Sequence, residues 1–161
     1  TGKFRAVNED WEETDIQPDK VERVILCSGK VFYDIRAERR ARGIKNLPIV
    51  RIAQLYPFSH EEFRSIIVKY KNASEIVWCQ EEPRNQGAWR HIQHYLIRNL
   101  LPHQKMFYAG RESSASPAAG YKSLHDKQQK ELVNQALTLS GGSEPLSVTH
   151  RPRPLSAGEE H

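Results

Sequence analysis

"SEIVWCQEEPRNQGAWRHIQHYLIRNL" (74–100) decides the fold. Its opening is short, and from Ile76 to Cys79 it is continuously apolar, the composition of a strand buried on both faces. The later part changes period. Trp89, Ile92, Leu96 and Leu100 recur at helical spacing, so a helix is predicted from Asn85 to Leu100 with one buried stripe. A strand over 74–80 that turns into such a helix is one half of a β-α-β unit.

The flanking sequence repeats the unit. "VERVILCSG" (21–29) reads as a strand that stops at Ser28-Gly29, and "KVFYDIRAERRAR" (30–42) takes a helical period through Val31, Ile35 and Arg39. Gly43 is placed to end that helix. "LPIVRIAQLYPF" (47–58) is the next strand, and "SHEEFRSIIVKYK" (59–71) follows as a helix opened by a capping box of Ser59 and Glu62. "KMFYAG" (105–110) is a short fourth strand. After the small-residue loop "RESSASPAAG" (111–120), a last helix is predicted from about Ser123, capped with Asp126, to Leu139. Strand and helix alternating four times define an α/β fold. The expectation is a three-layer, mostly parallel twisted sheet of about four to five strands, with helices on both faces.

Residues 20–140 make up this domain. Residues 1–19 are polar and acidic and read as a linker or arm from a preceding domain. Residues 141–161 dissolve into Pro, Gly, Ser and charge and are predicted to be a disordered tail. The chain starts at Thr1 without an initiator Met, which suggests a piece of a longer protein.

Bulk properties narrow the function classes. The chain has 161 residues, 38% hydrophobic and 27% charged, enough for one domain with a sizeable core. A net charge of +4 is too small to argue for nucleic acid. The basic run "RAERRARGIK" (36–45) has no aromatic platform and reads as a solvated helix face. No stretch is long and apolar enough for a membrane-spanning helix. Cys27 and Cys79 each lie in an apolar run without metal or redox spacing, so both read as reduced core thiols in a reducing compartment.

Candidate chemistry is sparse. "CSGK" (27–30) lacks the spacing of a phosphate loop or a dinucleotide fingerprint. His91 and His94 share a helix face and His103 follows, but two locally arranged imidazoles fall short of a zinc site and read as surface histidines. The one constellation with a physical argument is Glu81-Glu82. It is placed just past the carboxyl end of a strand, where open α/β sheets collect ligand and partner contacts. Pro83 restricts the exit, Asn85 can cap the next helix, and Gln86-Gly87 permits close approach of a neighbour. Acids decorating a helix start explain the pair as well as a functional edge does.

Five stretches taken together carry a resemblance: "CSGKVFYDI", "PIVRIAQLYPF", "VWCQEEPRNQGAW", "YAGRESSASPAAGY" and "HDKQQKELVNQAL". In this order they resemble the C-terminal domain of the decarboxylating component of 2-oxoglutarate dehydrogenase, in the transketolase-like family. The likeness spans about residues 20 to 139. The bacterial form is nearest, and the 2-oxoadipate dehydrogenases share the scaffold.

This resemblance implies the last of three catalytic-core domains, with one antiparallel strand at the edge of its parallel sheet. The whole enzyme would decarboxylate 2-oxoglutarate oxidatively and pass the succinyl group to a lipoyl carrier. It would work as a homodimer with a lipoyl succinyltransferase core, in the bacterial cytoplasm or, in a eukaryote, the mitochondrial matrix. Thiamine diphosphate and Mg²⁺ would be held through a GDG…N motif of the preceding domains, and no GDG occurs in this chain. No catalytic, cofactor-binding or metal-ligating residue is therefore expected here, and the fragment alone should be inactive. The resemblance implies that Glu81, Glu82, Asn85 and Gln86 face a neighbouring domain or subunit, an interface and not a catalytic dyad. It differs at the end, because relatives stop near "VNQALTL" (133–139) and this chain continues through "RPRPLSAGEEH". The alternative from a different class is a free-standing α/β module binding a nucleotide or acyl-CoA at its strand ends.

Overall fold

The computed structural model describes residues 5–9, 16–111 and 121–138. They form a five-stranded sheet in the order β1-β3-β2-β4-β5, in which β1 is Val7–Glu9, β2 Arg23–Cys27, β3 Ile49–Ile52, β4 Glu75–Pro83 and β5 Lys105–Arg111. All pairings are parallel except β1 with β3, which is antiparallel and places Val7 opposite Ile52. Four helices connect or cover the strands: α1 (Val31–Ala41), α2 (His60–Lys69), α3 (Gly87–Arg98) and α4 (Tyr121–Leu137).

Side-chain alternation along β2 divides the core. Val24 and Leu26 join the apolar layer under α2 and α3, with Phe63, Ile67, Trp89, Ile92 and Leu96. Ile25 and Cys27 join the opposite layer under α1 and α4, with Val31, Ile35, Leu132, Val133 and Ala136. Both faces of the sheet are therefore dry, and the three-layer α/β arrangement expected from the continuous apolar runs is the one observed.

Several boundaries differ from the reading of the sequence. The strand predicted over 47–58 ends at Ile52, opposite the first residue of β1, Val7, and beyond it the amides of Ala53 and Gln54 both turn to the Ala6 carbonyl. Within the stretch read as an arm, Val7–Glu9 supplies the antiparallel edge. The last helix begins before Ser123, so Ser123 lies inside α4 and is not its cap. Arg39, read with its run as solvated, is buried, and its Nη1 donates to the Leu47 carbonyl at 2.9 Å. The predicted tail over 141–161 lies outside the described residues.

The capping box is present and does more than cap. The Ser59 hydroxyl accepts from the Glu62 amide at 3.4 Å and donates to Glu62 Oε2 at 3.2 Å. Glu62 Oε1 accepts from the Ala6 and Val7 amides at 3.0 and 3.2 Å, tying β1 to the first turn of α2.

Candidate functional site

The carboxyl end of β4 is a bulge. Gln80 pairs with Gly110, yet the next pairing is Pro83 with Arg111, so Glu81 and Glu82 have no opposite residue on β5. An irregularity of this kind re-aims side chains at a sheet edge. The pair thus belongs to the strand, where the sequence placed it just beyond.

Gln80, which the sequence reading passed over, organises this corner. It is 1% exposed. Its Oε1 accepts from Trp78 Nε1 and from the Trp89 amide, each at 2.9 Å. Its Nε2 faces the carbonyls of Glu82, Pro83 and Gln86 at 3.1, 3.0 and 2.9 Å. One buried amide therefore fixes the strand end, the turn and the first turn of α3, and a buried polar group with every lone pair and proton used is a rigid anchor. The signal for it was available: a lone amide ending an apolar run, between two tryptophans.

A second set of bonds comes from β5. The Tyr108 hydroxyl donates to the Arg111 carbonyl at 3.1 Å, with the Glu82 carbonyl at 3.4 Å. Gly110 makes room for this, since a Cβ there would lie 2.7 Å from Tyr108 Oη and 2.9 Å from the Gln80 carbonyl. Arg111 Nη1 donates to the Glu81 carbonyl, and its other nitrogens reach Gln128, Gln129 and the His125 carbonyl on α4.

The four residues proposed from the sequence separate into two groups. Glu81 is half-buried, and its carboxylate accepts from Gln129 Nε2 at 2.8 Å; the same nitrogen donates to Asp34 at 2.8 Å. Glu82, Asn85 and Gln86 are exposed together on the rim. Asn85 does not cap α3: the cap position is Gln86, without a side-chain cap bond, and Asn85 sits in the preceding turn. Glu82 instead closes over the helix start. Gly87 has φ +68°, and a Cβ on it would lie 2.9 Å from that of Glu82.

The remaining candidates are dispersed. His91 is exposed, His94 packs beside Tyr95, and His103 Nε2 bonds the Lys71 carbonyl at 2.6 Å. Among the described residues no cluster of three or more His, Cys, Asp or Glu could hold a metal ion, and no helix is long and apolar enough to cross a membrane. Cys27 and Cys79 are buried, free, and directly opposite each other on β2 and β4. Burial pushes the Cys27 thiol up to about 12 and holds that of Cys79 well above its ordinary range, so neither is a nucleophile.

Fold and site together define a doubly wound α/β domain with a rigid, hydrogen-bonded carboxyl edge and an exposed polar rim. Residues 1–137 match the family model described as "2-oxoglutarate dehydrogenase C-terminal", and the chain belongs to that family. It is 50% identical over 135 residues to the 2-oxoglutarate dehydrogenase E1 component of Cupriavidus necator, covering 84% of this chain and 14% of that protein. It is 48% identical over 141 residues to the E1 component of Azotobacter vinelandii, covering 86% and 15%. The chain thus spans about one-seventh of the length of the curated relatives it matches. A solved structure titled "Split gene transketolase, inactive beta4 tetramer" matches with a TM-score of 0.50 at 17% identity, over 73% of this chain and 40% of that one, which shows a shared fold.

Proposed function

We propose that this chain is the C-terminal structural and subunit-assembly domain of a 2-oxoglutarate dehydrogenase, the enzyme that oxidatively decarboxylates 2-oxoglutarate and hands the succinyl group to a lipoyl carrier. The observation that carries the reading is the rim itself. Gln80 fixes the backbone of Glu82, Pro83 and Gln86 from within, while the side chains of Glu82, Asn85 and Gln86 are left facing outward. A rigid backbone presenting polar groups has little ordering entropy to lose on contact, which suits docking.

Thiamine diphosphate and Mg²⁺ belong, in this reading, to the rest of the polypeptide. The cofactor supplies a carbanion at which the 2-oxoacid loses CO₂. Side chains in this domain do not fit it. Mg²⁺ wants several free hard oxygen ligands, whereas Asp34, exposed on α1, and half-buried Glu81 on β4 both accept from the one Gln129 amide, and among the described residues no third carboxylate joins them. The domain's part is to orient and assemble. It would do so as half of a homodimer, beside a lipoyl succinyltransferase core, in the bacterial cytoplasm.

The test compares two contexts. Glu82→Ala with Gln86→Ala should leave the stability of the isolated chain within about 0.5 kcal/mol, since both side chains are exposed. In the full-length protein the same pair should weaken dimerisation, measured by sedimentation, by about tenfold or more. Normal assembly with lost thiamine-diphosphate-dependent turnover would move the rim into the catalytic apparatus. Assay of 2-oxoglutarate against 2-oxoadipate settles the substrate.

A further inference from the structure

We propose that the cleft between the start of α2 and the end of α3 binds a small organic oxyanion, a carboxylate or phosphate carried on a planar body. This goes beyond the assembly role and uses none of its residues. The cleft holds about 670 Å³ and is lined by Tyr56, Pro57, Phe58, His60, Glu61, Arg64, Tyr95, Arg98 and Asn99. That volume suits a small molecule.

Its centre is built. Asn99, 5% exposed, donates from Nδ2 to the Tyr95 carbonyl at 2.8 Å and to His60 Nδ1 at 2.9 Å, and its Oδ1 accepts from Arg64 Nη2 at 2.9 Å. One buried amide thus orients both an imidazole and a guanidinium. Because Nδ1 of His60 accepts, the neutral ring carries its proton on Nε2 as a donor.

Arg98 stands beside them. Among the described residues neither Arg64 nor Arg98 forms an ion pair. Two guanidinium groups and an N–H donor face one acid, Glu61, at the lining, so the balance favours an anion.

The walls supply the rest of the ligand's chemistry. Phe58 stacks on Tyr95 with centroids 5.4 Å apart, and His60 meets both rings edge-on. Tyr56 is 91% exposed at the margin, a large aromatic face for a planar group to cover.

Calorimetric titration of the 161-residue chain and of the full-length protein with phenyl phosphate and with benzoate tests this, inorganic phosphate serving as the ring-free control. Saturable one-to-one binding is expected, tighter with the ring than without, and the stronger of the two probes identifies the head group. Arg98→Gln, at an exposed position, should weaken it about tenfold or more with unchanged Tm, and Arg64→Gln should weaken it as much with a lower Tm, since the buried Asn99 Oδ1 loses its donor. By linkage, bound anion should raise the pKa of His60 followed by NMR. Absence of saturable heat, or binding indifferent to both arginine changes, overturns the proposal. So does binding by the 161-residue chain that is lost in the full-length protein, which would mean that another protein segment occupies the cleft.

Discussion

Gln80 shows how one side chain can hold an edge. Replacing it with Leu roughly keeps the volume but strands two buried donors, the Trp78 indole N–H and the Trp89 amide, while the Pro83 and Glu82 carbonyls keep the Gln86 amide and the Tyr108 hydroxyl. Unsatisfied buried groups of this kind cost roughly 1–3 kcal/mol each, so Gln80→Leu should destabilise the chain by about 3 kcal/mol in denaturant titration. The cysteines make the opposite case. With both thiols buried and protonated, iodoacetamide at pH 8 should modify neither Cys27 nor Cys79 until the domain unfolds, which mass spectrometry during urea titration would register. Their reduced, buried state was legible from the apolar runs. That they face each other across β2 and β4 was not, because register between strands is set by packing and not by either run alone.

Among the elements, the long periodic ones were readable and the short ones were not. α2 appeared with its cap in place, since Ser59 and Glu62 satisfy orphan amides by local geometry. β1 has three residues and no periodicity to detect, and it exists as a strand because β3 offers an open edge and Glu62 offers two acceptor sites. At the candidate rim, Glu81 and Glu82 stood out as residues, whereas their bulge depends on the β5 partner 30 residues away in sequence. Glu62→Ala removes the anchor of β1 together with half of the capping box. We expect a loss of about 2 kcal/mol. Amide exchange at Ala6 and Val7 should accelerate well beyond that of β2, and equal acceleration throughout would refute the anchoring role.

For the molecule as a whole, acid should be felt on the α2–α3 face. Burial, with Arg98 and Arg64 nearby, lowers the His60 pKa below 6.5, and burial with Arg98 does the same to His94. A histidine whose folded pKa is depressed binds its proton more readily when unfolded. The stability it permits is therefore complete above pH 6.5 and declines as pH falls from there through the folded-state value. Thermal melts between pH 7 and 5 should show Tm dropping, and His60→Gln should flatten that slope. A Tm independent of pH over this range would contradict the reading.

The Gln80 corner also makes the protein its own optical probe. Trp78 and Trp89, the two tryptophans among the described residues, are both buried and both bonded to the same amide, Trp78 through its indole and Trp89 through its backbone. Both indoles lie in the apolar layer under α2 and α3, so their emission reports on that layer beside the Gln80 corner. Quencher access and a red shift would therefore track loosening of the carboxyl edge, so fluorescence can follow engagement of the rim without any attached dye.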